Sequence, residues 1–183
     1  VAVSAAAGGV GSIAIQLAKI AGCKTIGIAG GPRKTALLRE KLGVEIVLDY
    51  KNADLASDLR SAAPKGINVF FDNVGGDILD AVLINLAKFG RVAVCGGIGG
   101  YDNAEAVVRN TTLLTQKNGL VQGFWYSDYE HIFERALDAM SGWIRSGELQ
   151  EFTDVAQGFE SVPRSVRGIF TGENLGKQLV ELS

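Results

Sequence analysis

Apolar residues in this chain fall into short continuous runs separated by longer stretches with helical spacing. Val1–Ser4, Lys24–Ile28, Val44–Leu48, Ile67–Asp72, Arg91–Cys95 and Leu120–Phe124 read as strands, most of them bounded by glycine or polar turn residues. Unbroken apolarity, rather than alternation, is expected of strands covered on both faces. Between them, Ser12–Ala21 places Ile13, Leu17 and Ile20 on one helical face, with Ser12 positioned to cap the start. Arg33–Leu42 ends at Gly43, a C-cap signal. Asp54–Ala62 and Asp77–Leu86 predict two more helices. Tyr129–Arg145 carries the longest stripe: Phe133, Leu137, Met140 and Ile144, widened by Ile132, Ala136 and Trp143, which predicts packing against a core. Strand alternating with helix implies right-handed crossovers and an α/β, doubly wound, parallel six-stranded sheet. Residues 1–147 would form it. Residues 148–183 would be a C-terminal tail, with a helix near Val162–Phe170 and a strand near Lys177–Leu182.

Composition narrows the setting. Eighteen basic and 20 acidic residues give a net charge of −2, so no global field recruits nucleic acid or an anionic membrane. Cys23, Cys95 and His131 are too few for a Cys/His zinc cluster or a disulfide framework, and they suit a reduced, cytoplasmic setting. His131 falls on the polar side of its helix stripe, which predicts a solvated side chain. The first 18 residues carry no charge, but glycines, Ser4, Ser12 and Gln16 interrupt them and no basic segment precedes them. Neither a membrane span nor a signal peptide is expected. Val1 opens directly on an apolar strand, which predicts a piece of a longer protein.

The chain has 24 glycines but only 3 prolines, and its glycines bunch at strand ends: Gly8–Gly11, Gly30–Gly31, Gly75–Gly76 and Gly96–Gly100. Ala6-Ala7-Gly8-Gly9-Val10-Gly11, between the first strand and first helix, matches the dinucleotide fingerprint G-x-G-x-x-G with Ala6 in the first glycine position. Gly8 would admit a pyrophosphate to the backbone, Gly11 would bring helix and strand together, and the helix N-terminus would face the phosphates. That context predicts a Rossmann fold. An NAD site would place Asp or Glu about 20 residues further on, to hold the ribose 2′-OH. Here Ala29-Gly30-Gly31-Pro32-Arg33-Lys34 offers two cations and no acid. Arg33 and Lys34 can pair with a 2′-phosphate, which favours NADP(H) over NAD(H) and over S-adenosylmethionine. Two cations in a helix's first turn would otherwise be misplaced against its dipole.

The segments AAAGGVGSIAIQLAK, GCK, DYK, FFDNVGG, KFGRVAVCGGI and ENLGK together resemble the medium-chain dehydrogenase/reductase superfamily. Within it they are similar to the zinc-independent prostaglandin and leukotriene B4 reductases and the related 2-alkenal and quinone reductases. The resemblance runs over nearly the whole chain. It implies reduction of the C=C bond of α,β-unsaturated carbonyl compounds with hydride from NADPH, without metal. It also implies that Gly8, Gly9, Val10 and Gly11 hold pyrophosphate, that Lys34 holds the 2′-phosphate and that Tyr50 closes over it; Gly30 and Arg33 would stand beside that phosphate on the local sequence. Asn73 would lie beside the cofactor. Cys95, Gly96, Ile98 and Tyr101 would run under the adenosine and nicotinamide ribose, and Phe124, Trp125 and Tyr126 would line the nicotinamide. Asn174 would reach back from the tail.

Arg33 adds a cation to the family pattern, and Ser127 stands where the family often has tyrosine, so the resemblance supplies no proton donor. In the family an amino-terminal GroES-like domain completes the substrate pocket, and nothing in this sequence replaces it. A homodimer through edge strands is implied by the family. A quinone oxidoreductase, a polyketide-type enoyl reductase or a non-catalytic dinucleotide-binding module are the alternatives. Short-chain reductase, P-loop and nucleophile-elbow signatures are absent.

Overall fold

The computed structural model describes residues 1–52, 54–100 and 108–182. Six strands form one parallel sheet: β1 (Ala2–Val3), β2 (Ile26–Ala29), β3 (Ile46–Asp49), β4 (Ile67–Asp72), β5 (Leu86–Val94) and β6 (Leu120–Gly123). Their order is β3-β2-β1-β4-β5-β6, the doubly wound arrangement that reverses between β1 and β4. Every residue of β2 is buried, as its unbroken apolarity requires, whereas the edge strand β6 is largely exposed.

Helices cover both faces. Leu55 and Leu59 of α3 (Leu55–Ala62) and Ile78–Leu83 of α4 (Gly76–Ile84) pack with Ile28, Phe70 and Val92 in one cluster. Ile15 of α1 (Gly11–Ile20) joins Val3, Ala29, Leu38 and Val44 in a second. The helix expected over Arg33–Leu42 is α2 (Pro32–Ala36) extended by a wider-wound turn, Leu37–Lys41. Gly43 ends it with φ +57°.

Four expectations need correction. Ser12 is buried inside α1 rather than at its cap; the helix opens at Gly11, and no side chain caps it. β5 begins at Leu86, five residues early, because Phe89 takes φ +62° and the chain bulges past β4 before regaining register at Arg91. A short helix, α5 (Leu113–Lys117), lies before β6, too brief to show periodicity. The stripe on α6 (Phe133–Ser146) is not core: no residue of that helix is buried, and Leu137 is 58% exposed. Periodicity identifies an apolar face, not how far it is covered: Met140 and Trp143 are half-buried, whereas Phe133, Leu137 and Ile144 are exposed.

The tail folds back. β7 (Thr153–Gln157), α7 (Val162–Thr171) and β8 (Lys177–Glu181) make a small parallel βαβ unit, of which only β7 was unanticipated. Gln16 of α1 fastens it: its Nε2 donates to the Gln150 carbonyl at 2.9 Å and its Oε1 accepts from the Gln150 N–H at 2.8 Å. Leu149 is buried, and Phe152 packs on the α1 side of the sheet. The Gly176 N–H donates to the Ala7 carbonyl at 2.8 Å, so the tail rests on the glycine-rich turn itself.

Gln16→Ala removes both bonds to the Gln150 backbone. Urea denaturation should show a loss of about 1–3 kcal/mol; a loss below about 0.5 kcal/mol would mean the tail docks by other contacts.

Candidate functional site: a cleft at the carboxyl edge of the sheet

A cleft of about 430 Å³ opens where the strands end, across the point at which strand order reverses. Six segments build it. The turn after β1 supplies Gly8, Gly9, Val10 and Gly11; the ends of β2 and β3 supply Gly30, Lys34, Tyr50 and Lys51. The ends of β4 and β5 supply Asn73, Val74, Cys95 and Ile98, and the tail covers it with Ile169–Gly172 and Asn174.

The glycine turn is shaped by close approach. A Cβ on Gly11 would sit 2.8 Å from the Ala5 carbonyl carbon and 2.9 Å from the Ala6 Cα, so only glycine lets α1 start against β1. Gly9 faces the tail: a Cβ there would meet Lys177 at 3.0 Å. Ala5 takes φ +46°, a conformation costly for a residue with a Cβ, on the cleft floor. With no side-chain cap, the N–H groups and positive dipole end of α1 face the cleft.

At the other end, charge dominates. Lys34 is half-buried, and its pKa is pushed below the ordinary lysine value by burial first, then by the charges of Lys51 and Arg33. No ion pair among the described residues includes any of these three cations. The nearby acid, Asp49, is occupied. Its Oδ1 accepts from the Gly31 N–H at 3.0 Å and the Lys51 N–H at 3.1 Å, and its Oδ2 from Asn52 Nδ2 at 2.8 Å. It thereby shapes the turn that carries Tyr50 and Lys51. The Tyr50 ring presses so close to Gly30 that a Cβ there would lie 2.8 Å away. The Lys34 ammonium lies 3.4 Å from the Cβ position of Gly172, which ends α7 with φ +72°. A helix C-terminus is favourable for a cation.

Most of the residues expected at a nucleotide site meet here, but not all. Arg33 is exposed beside the cleft, and Gly96 lies just behind it, donating to the Asp72 carbonyl at 3.2 Å. Phe124 lies between Phe71, tilted against it, and Tyr129, edge-to-face, with centroids 6.2 and 6.1 Å away, while Trp125 and Tyr126 are about two-thirds exposed; none of the three lines the cleft. Tyr101 lies outside the described residues. Cys95 does line it, and partial burial followed by the Asp72 charge pushes its thiol above the usual value. Asn174 donates to the Gly176 carbonyl at 2.8 Å, so it also shapes the turn into β8. Lys51 and Ile169–Gly172 were missed. The DYK segment carried the signal for Lys51; no local pattern announces α7's C-terminus as a cleft wall.

The zinc-binding dehydrogenase profile matches residues 9–142. The chain belongs to that family. It is 41% identical over 99% of its length to a 2-alkenal reductase (NADP(+)-dependent) of Nicotiana tabacum, covering 53% of that protein. It is 37% identical over 99% of its length to mouse prostaglandin reductase 1, covering 56%. The solved structure of CurA from Vibrio vulnificus in complex with NADPH superposes with a TM-score of 0.93 at 33% identity, covering all of this chain and 56% of that one. The branch anticipated from the motifs is therefore upheld, and the chain spans about half the length of these relatives. Among the described residues no group of three or more His, Cys, Asp or Glu is placed to hold a metal, and no helix is long and apolar enough to cross a membrane.

Lys34, held below its ordinary value, binds fewer protons folded than unfolded between that lowered value and 10.5. Its penalty is therefore fully present at neutral pH and lifts as pH rises through that window. Without ligand, Lys34→Met should be more stable than the parent chain to urea at pH 7, and the gain should shrink by pH 10. A variant less stable at pH 7 would contradict the frustrated charge.

Proposed function

We propose that this chain is the NADPH-binding part of a reductase acting on the C=C bond of small α,β-unsaturated carbonyl compounds. The observation that carries the cofactor is the cluster of Lys34, Lys51 and Arg33 at the adenosine end of a dinucleotide cleft, with Asp49 already engaged by backbone and Asn52. A ribose 2′-OH needs an acceptor there; a 2′-phosphate needs cations. The reductases named above supply the substrate class.

In this reading the backbone of Gly8–Gly11 and the uncapped start of α1 meet the pyrophosphate. Gly30 leaves room for Lys34 and Lys51 to converge on the 2′-phosphate, Arg33 adds to their field, and Tyr50 lies across it. Asn73, Cys95, Gly96 and Ile98 wall the second half of the cofactor; Phe124, Trp125 and Tyr126, one strand along the same edge, extend that wall. Asn174 and the end of α7 close the cleft from the tail. Bound NADPH supplies the hydride, and the chain's part is to bind and orient it. The residues of this chain name no proton donor. The wider reading includes a cytoplasmic setting, and a homodimer through sheet edges in the complete protein.

Lys34→Ala should weaken NADPH by about 1.5–3 kcal/mol, the worth of a charge-assisted hydrogen bond, and leave NADH unchanged in calorimetric titration. An equal effect on both cofactors would remove the 2′-phosphate assignment. In the complete protein, NADPH consumption should be faster with an α,β-unsaturated aldehyde than with a quinone; the reverse order would favour a quinone reductase.

A further inference from the structure

Asp72 closes β4 with its side chain fully buried. Its Oδ1 accepts from Ser4 Oγ at 2.8 Å and the Val74 N–H at 3.0 Å, and both its oxygens accept from the Gly75 N–H at 3.1 Å. None of the ion pairs among the described residues reaches it. A carboxylate taken out of water without a cation is costly unless hydrogen bonds replace the lost hydration. Here three donors do so, one O–H and two N–H.

What these bonds hold is the cleft floor. Ser4 Oγ donates to Asp72 and accepts from the Asn73 N–H at 2.8 Å. The Asn73 side chain donates through Nδ2 to the Ser4 carbonyl at 2.8 Å, which leaves its Oδ1 as the end free to serve the cleft. The Asp72 carbonyl accepts from the Cys95 and Gly96 N–H groups at 2.7 and 3.2 Å. The Asn73 and Val74 carbonyls accept from Ile98 and Gly99 at 3.2 and 3.1 Å. One buried residue thus ties the loops after β4 and β5 to the end of β1.

We propose that Asp72, acting through Ser4, is a positioning residue for the nicotinamide half of the dinucleotide, fixing Asn73 so that its Oδ1 accepts from a hydroxyl or amide donor of that half. The inference rests on the NADPH reading above. In a doubly wound sheet the two mononucleotide halves lie on opposite sides of the strand reversal. Gly8–Gly11 and Lys34 serve the first, and the loops after β4 and β5 serve the second. An acid is suited to the task because every group aimed at it is a donor; an asparagine would turn an N–H₂ toward one of them.

The chain, its Asp72→Asn variant and its Ser4→Ala variant should be titrated with NADPH and with 2′,5′-ADP, which lacks the nicotinamide half. The parent chain should bind both. Each variant should lose about tenfold in NADPH affinity, the scale of one such hydrogen bond, and keep its 2′,5′-ADP affinity within about twofold. The emission of bound NADPH should move toward that of the free cofactor. Ser4→Ala carries the test alone if Asp72→Asn does not fold. Equal losses of both ligands, or no loss of either, would overturn the positioning role while leaving the cofactor reading intact. A parent chain that binds neither ligand would overturn both.

Discussion

Several elements crowd against the backbone from Ser4 to Gly11, most tightly at Gly9 and Gly11, and the molecule is organised by that crowding. Gly11 starts α1 against the Ala5–Ala6 backbone, and Gly9 lets β8 pass behind the turn. Ala6 donates to Ile28 of β2, Ser4 to Asp72 of β4, and Ala7 accepts from Gly176 of the tail. Elements distant in sequence therefore meet on eight residues whose side chains are small or missing, Val10 excepted. A larger side chain at Gly11 would push the helix off the strand. The helix N-terminus, the floor built on Asp72 and the tail cover would lose their common reference together.

Electrostatics at the other end of the cleft runs against stability. Lys34, Lys51 and Arg33 repel one another, and burial penalises Lys34 further. The C-terminus of α7 offsets part of this, while Asp49 is spent on shaping a turn rather than on neutralising them. Such an arrangement is tolerable if an anion completes it. Concentrated like charge without a partner is what a phosphate subsite looks like when considered by itself.

The reach of the sequence divides along physical lines. Strands buried on both faces, such as β2, and glycines at strand ends announce themselves locally, because burial and close approach restrict which residues can stand there. Lys34 was legible through an absence, the missing acid after Gly30–Gly31. What local pattern could not convey was long-range placement. Lys51 reaches the cleft because Asp49 turns the chain, and α7 reaches it because Gln16 anchors the tail 134 residues away. Asp72 looked like the last residue of a strand until its donors were visible. The apolar face of α6 misled for the same reason: amphipathicity is local, and its partner is not.

On the proposed reading, this cleft selects a 2′-phosphorylated dinucleotide through cations that no ion pair among the described residues neutralises. Calorimetric titration of the unmodified chain with NADPH and NADH, repeated at rising salt, tests it most directly. NADPH should bind at least tenfold more tightly at low salt, with the gap narrowing as salt screens the exposed part of the cluster. Equal affinities at low salt, or a preference that salt does not touch, would contradict it.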